Sequence, residues 1–148
     1  QILDVTGENE SGEPEGIGRV GEIPSASDND EQRNEISLAD YCEEVKKAFA
    51  LDTVKVFGDL KQKVHRVAIC PGKSDIDQAI AAGADVYVTG DIGHHEGIDA
   101  LARGLNIIDA GHYGVEHIFI GDMGNYLRAH LLGVEVIEAP VSHPFTVI

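Results

Sequence analysis

Gly83-Ala84-Asp85-Val86-Tyr87-Val88-Thr89-Gly90-Asp91-Ile92-Gly93-His94-His95-Glu96 is the stretch whose reading decides the fold. Gly83 is a helix-stop residue, and Asp85–Thr89 is a short run rich in β-branched residues, hence a strand. The Gly-containing turn after it leads into a helix over 94–103, with Ile98, Leu101 and Ala102 facing inward. Strand, tight link, helix is one step of an α/β repeat, and the steps on either side agree. Upstream, Val64–Cys70 reads as a strand. Ser74 with Asp77 opens a helix as a capping box, with Ile76, Ala79 and Ile80 as its apolar face. Downstream, Leu105–Asp109 reads as a strand and Tyr113–Leu131 as mostly helical, and Val134–Glu138 and Phe145–Ile148 read as strands. Further back, Val54–Phe57 is a strand. Leu38, Cys42, Val45 and Phe49 recur at helical spacing behind a Ser37/Asp40 capping box, which predicts a helix from about 38 to 50. The expected class is α/β, a largely parallel sheet flanked by helices.

The first 35 residues differ from the rest. They hold ten acids and two bases, a net charge of −8, among many Gly, Ser, Asn and Pro. Such composition buries little and predicts a loop-rich segment, with one short strand near 16–23. Residues 36–148 form the α/β part, with 16 acids and nine bases. The whole 148-residue chain has a formal charge of −15. That balance speaks against binding to a nucleic-acid backbone or an anionic membrane, since both need basic surface. No apolar run approaches the length of a membrane span, and no secretory leader opens the chain, so the sequence reads as cytoplasmic. Cys42 and Cys70 lie in no paired spacing, so the sequence offers neither a disulfide framework nor a zinc ribbon.

In open α/β sheets ligands bind beyond the carboxyl ends of the strands. Three links have that address. Cys70-Pro71-Gly72-Lys73-Ser74 ends like a phosphate loop, but the glycine required five residues before its GK pair is replaced by Val67. An ordinary capped turn is the better reading, and a phosphate at a helix start near Lys73 the alternative. Gly16–Gly21 matches GxGxxG but lacks the preceding strand and following helix of a dinucleotide site. The second link holds Asp91, His94 and His95, which suit a divalent metal or a proton-transfer site, or else a capped turn and a solvated helix start. The third, Asp109-Ala110-Gly111-His112-Tyr113-Gly114-Val115-Glu116, puts His112 and Glu116 four apart on one helix face. Such a pair can hold a metal, or form an ordinary exposed hydrogen bond. The strands ending in Asp91 and Asp109 deliver carboxylates to one sheet edge.

Taken in order, Val67–Gly72, Gly83–Glu96, Ile108–Glu116 and His143-Pro144-Phe145 resemble the NIF-three-like dinuclear-metal family, the GTP cyclohydrolase type-two homologues. Gly16–Glu22 is similar to a further family segment. The resemblance implies an α/β protein assembled as a toroidal homo-hexamer, with two divalent metal ions per full-length subunit in a cleft facing the central cavity. His112 and Glu116 fall on the family's GHxxxE motif and would be metal ligands. The remaining ligands, a His-His pair and an Asp, belong to an earlier part of the family's domain with no counterpart here, so this chain would correspond to the later part. His94–His95 is not that pair. Asp91, His95 and Asp109 would orient ligands, water or substrate. Val115 stands where many members have Thr, the turn at Cys70–Ser74 is shorter than the family's loop, and no inserted domain is seen.

The implied activity is metal-dependent hydrolysis of a small-molecule substrate, nucleotides and phosphoesters among the candidates. Zn, Fe, Mn and Ni are not distinguished by His and carboxylate donors. The competing reading is a non-catalytic, metal-dependent binding or regulatory adaptor protein. A metal-free nucleotide binder is a third.

Overall fold

A computed structural model describes residues 1–24, 35–71 and 75–142. The elements run β1 (Ile2–Glu8), β2 (Pro14–Glu22), β3 (Ile36–Ser37), α1 (Leu38–Ala48), β4 (Lys55–Phe57), β5 (Lys63–Val64), β6 (Arg66–Ile69), α2 (Ile76–Ala81), β7 (Val86–Thr89), α3 (His94–Ala102), β8 (Asn106–Asp109), α4 (His112–Glu116) and α5 (Ile118–His130). Six strands form one sheet in the order β1-β2-β6-β7-β8-β4, and β3 pairs with β5 separately. The α/β class holds. The sheet is mixed rather than largely parallel: β6-β7 and β7-β8 are parallel, whereas β1-β2, β2-β6 and β4-β8 are antiparallel. The parallel part is where strand-helix-strand crossovers occur, through α2 and α3, and it is covered on both faces, as parallel strands require. All eight residues of β7 and β8 are buried.

One face of the sheet packs Val20, Ala68, Tyr87 and Ile107 against Ala79, Ala84, Ala100 and Leu105 from α2, α3 and their flanks. The other packs Val67, Val86, Val88 and Ile108 against Leu38, Cys42 and Val45 of α1. The α1 reading holds at its start, where the Ser37 hydroxyl accepts the Asp40 amide at 3.1 Å. Ser74 lies outside the described residues. Asp75 stands at the N-cap of α2 but makes no capping bond, because its carboxylate is engaged by Cys70.

Three expectations are corrected. The acidic head is not mainly loop: β1 and β2 form a hairpin joined to the main sheet through β6. Its turn is built from Asn9, whose side-chain oxygen accepts the amides of Ser11 and Glu13, both at 2.9 Å. Composition concealed the hairpin because most of its residues are exposed and need no apolar alternation. In α3, Gly97 and Ala100 face inward, while Ile98 and Leu101 are 46% and 43% exposed. A Cβ on Gly97 would lie 2.5 Å from the Phe57 ring, so the helix packs through its smallest residues and its larger apolar ones turn outward. Val134–Glu138 forms no strand. It runs beside α5, where Arg128 pairs with Glu138 at 2.7 Å and donates to the Val136 carbonyl at 3.4 Å. Residues 145–148 lie outside the described residues. No helix among the described residues is long and apolar enough to cross a membrane.

Candidate functional site

Thr89 and Asp109 are register partners at the carboxyl ends of β7 and β8, so the links that follow leave the sheet side by side. The Ala110 amide still bonds the Thr89 carbonyl at 2.8 Å, carrying the parallel ladder one step beyond the strands. The links then touch. A Cβ on Gly90 would sit 2.9 Å from the Gly111 carbonyl group and 3.0 Å from the His112 nitrogen, so this crossing needs a residue without a side chain.

Asp109 organises the crossing. Its carboxylate is buried and accepts the amides of Asp91 (3.0 Å), Ile92 (3.2 Å) and Gly111 (2.9 Å). The same carboxylate pairs with Lys55 Nζ at 2.7 Å. Lys55 is the register partner of Asp109 across the antiparallel β4-β8 pair. Held this way, Asp91 has φ of 60°. Asp enters that left-handed region more readily than most residues, yet it still costs energy and persists only where the surroundings fix it. At the end of the link, the Gly93 amide is taken by Glu96 at 2.8 Å, which caps α3.

The outcome is an imidazole between two carboxylates. His112 Nδ1 lies 3.2 Å from Asp91 Oδ2, and His112 Nε2 lies 3.2 Å from Glu116 Oε1. All three side chains are exposed. The shared face of His112 and Glu116 is therefore present, and Asp91 joins them. His94 and His95 open α3 as exposed residues with ring centroids 5.5 Å apart. Among the described residues, no hydrogen bond or ion pair ties His95 to His112 or Glu116. Asp109 is brought to the site as a backbone organiser facing inward. Sequence reasoning missed Lys55. Its signal was a lysine opening the strand Lys55–Phe57, readable only once that strand is known to pair with β8.

Donor chemistry here suits a divalent ion in kind, imidazole with carboxylate. It does not make a complete set. Among the described residues no three His, Cys, Asp or Glu side chains form a group able to hold a metal ion. The reason is geometric: Asp91 and Glu116 lie on opposite ring nitrogens and flank the imidazole instead of converging with it. His112 and Glu116 fit as part of a donor set.

A second polar cluster lies at the ends of β6 and β7. The Cys70 thiol donates to Asp75 Oδ2 at 2.7 Å, and both residues are buried. Burial first, then the bond to Asp75 and its charge, push the thiol up to about 12. Tyr87, beside Cys70, is also pushed up, chiefly by burial. A thiol so protected is a donor, not a nucleophile. The link after it, residues 72–74, lies outside the described residues, and with it the Lys73 phosphate reading.

Residues 1–144 match the Duf34/NIF3 (NGG1p interacting factor 3) family. A Listeria monocytogenes protein named GTP cyclohydrolase 1 type 2 homolog is 42% identical over 116 residues, covering 77% of this chain and 28% of that protein. A Lactococcus lactis protein of the same name is 38% identical over 144 residues, covering 94% of this chain and 52% of that one. Among solved structures, a Bacillus cereus protein related to NIF3 superposes with a TM-score of 0.74 at 31% identity, over 93% of this chain and 37% of that chain. The chain thus spans between about a quarter and about a half of these relatives' length.

Proposed function

We propose that this chain, which belongs to the Duf34/NIF3 family, supplies His112 and Glu116 as ligands to a divalent metal in a hydrolase acting on a small nucleotide-like or phosphoester substrate. The observation that carries the reading is the flanked imidazole. His112 Nδ1 lies 3.2 Å from Asp91 and Nε2 lies 3.2 Å from Glu116. In the tautomer that donates Nδ1–H to Asp91, the Nε2 lone pair is on the Glu116 side, open to an ion shared with that carboxylate. A carboxylate accepting the far ring N–H is how metal-binding histidines are usually oriented, and a cation between Nε2 and Glu116 would relieve the repulsion of two facing lone pairs. A divalent ion, when bound, lowers the pKa of a coordinated water and polarises the bond to be cleaved.

The chain's own contribution is positional. Asp109 holds the two links in contact, Asp91 turns the ring, and His112 with Glu116 face solvent where a ligand can reach them. The name GTP cyclohydrolase 1 type 2 homolog carried by the relatives supports a nucleotide among the substrates to be tried. On this reading the full-length protein is a homo-oligomer, hexameric as the family resemblance implies, and works in the cytoplasm. The remaining ligands come from outside this chain's described residues.

The test is metal analysis of the purified full-length protein alongside hydrolysis assays on a panel of nucleotides and phosphodiesters. His112→Ala combined with Glu116→Ala is expected to bring bound metal to background and abolish hydrolysis. Unchanged metal content in that variant refutes the ligand assignment. Metal-loaded protein that hydrolyses nothing in the panel refutes the hydrolase.

A further inference from the structure

Lys55 occupies a place in the site that its chemistry alone would not suggest. It sits on the edge strand β4, remote in sequence from both links, and its side chain is 56% exposed. A lysine that exposed ordinarily contributes a solvated charge of little consequence. Here the ammonium makes two short contacts at once: 2.7 Å to Asp109 Oδ2 and 3.0 Å to the Ile92 carbonyl. Asp109 in turn accepts the Ile92 amide. The peptide groups on both sides of Ile92 are therefore gripped, the amide by Asp109 and the carbonyl by Lys55, while Ile92 itself is 3% exposed and anchored in the core.

Backbone accounting shows how much of the link depends on these two side chains. The amides of Asp91, Ile92 and Gly111 all go to Asp109, and the Ile92 carbonyl goes to Lys55. Among the described residues no main-chain partner replaces them, since β7 and β8 have ended. Removing the ammonium leaves the buried carboxylate its three amide donors but takes away a 2.7 Å ion pair, so its place in the interior is less strongly held. Without Lys55, the cheapest relief is for Asp109 to move toward water. That releases the amides, Asp91 leaves its left-handed conformation, and its hold on His112 Nδ1 is lost.

We infer that Lys55 is a positioning residue: it fixes Asp109 in the orientation that presents Asp91, and through Asp91 the ring of His112, to the ligand. This rests on the reading of His112 and Glu116 as metal ligands. The role is orientation, without contact to metal or substrate.

The experiment uses the full-length protein with Lys55→Met and Lys55→Arg, read by amide hydrogen exchange and by metal affinity. In Lys55→Met, exchange at Asp91, Ile92 and Gly111 should quicken by about tenfold or more while Val88 and Ile107 keep their protection. Metal affinity should fall by about 10- to 100-fold, the usual effect of losing a group that orients a ligand. Lys55→Arg, which keeps the cation, should restore most of both. Exchange at the three amides within about threefold of the wild type in Lys55→Met overturns the proposal. So does quickened exchange spread evenly over Val88 and Ile107, which would mark a general loss of stability, and so does wild-type metal affinity in that variant. If the unmutated protein holds no metal, the metal reading falls by itself, and the exchange pattern still decides whether Lys55 orders the link.

Discussion

Cys70, Asp75 and Tyr87 form one polar cluster at the carboxyl end of the parallel strands, and Asp91, His112 and Glu116 form another one strand over. Both contain a carboxylate hydrogen-bonded to a group with useful chemistry, and the sheet gives both the address where α/β proteins bind ligands. Solvent separates them. Cys70 and Asp75 are 1% and 5% exposed, whereas the side chains of Asp91 and His112 are 68% and 65% exposed. In the sealed cluster each polar atom depends on its neighbour, because water cannot substitute. In the open one the contacts are individually weak and exchangeable, so an incoming ligand can replace them. Position at a strand end is thus not enough to make a site; access has to come with it.

The largest effect that distinguishes the clusters should come from deleting one carboxylate in each. Asp75→Ala removes the short 2.7 Å acceptor of the buried Cys70 thiol and leaves it the long contact to the Pro71 carbonyl at 3.8 Å. It is expected to cost about 1–3 kcal/mol, the desolvation penalty of a poorly satisfied buried group. Asp91→Asn, in the open cluster, removes the charge but keeps a residue that tolerates the left-handed backbone, and should stay within about 1 kcal/mol, the worth of an exposed ion pair. Urea unfolding with an unchanged m-value measures both. Equal losses would mean that solvent does not reach the Asp91 cluster, and the contrast between the two would be lost.

Alkali should act on the sealed cluster next. The Cys70 thiol is raised from its usual 9.0 to about 12, mainly by burial. Tyr41, on α1, is raised from 10.0 to about 12, again mainly by burial. For groups whose folded pKa exceeds the unfolded one, the folded state holds the extra proton between the two values. Their contribution is therefore complete below about pH 9 and declines as pH rises toward about 12. The unfolding midpoint should fall progressively from pH 9 upward, and iodoacetamide at pH 8 should label Cys70 only after denaturant is added. Rapid labelling of folded protein at that pH would show that the cluster is open.

Much of the site was legible because the chemistry and the address coincide in sequence. The run Val86–Thr89 followed by Gly90-Asp91 announces a strand end with a carboxylate, and the four-residue spacing of His112 and Glu116 needs only a helix to bring them together. What was not legible depended on pairing between distant strands. Lys55 meets Asp109 only because β4 joins the sheet antiparallel to β8, and three residues of strand carry no mark of their partner. The hairpin β1-β2 stayed hidden for a related reason. Its strands are stabilised by main-chain pairing to each other and to β6, and Val20 is the one residue of β2 that is fully buried. In α3 the helix itself was evident, but its inward face was not. Contact through Gly97 reverses the usual rule that the largest apolar residues mark the core side.

The smallest expected effect belongs to His95, where the sequence suggested more than the geometry supplies. It stands at the exposed start of α3, and its aromatic neighbour is His94, at 5.5 Å between ring centroids. Asp91 and Asp109, the other two residues read as orienting groups, both engage the backbone or ring of the His112 link, and His95 does neither. Since it fills no buried space, His95→Ala should leave stability within about 0.5 kcal/mol, as exposed substitutions generally do. Metal content of the full-length protein should likewise match the wild type. A drop in metal comparable to that of the His112 and Glu116 variant would place His95 among the ligands. The open cluster would then have to extend across both links, with α3 closing toward α4 when the ion is bound.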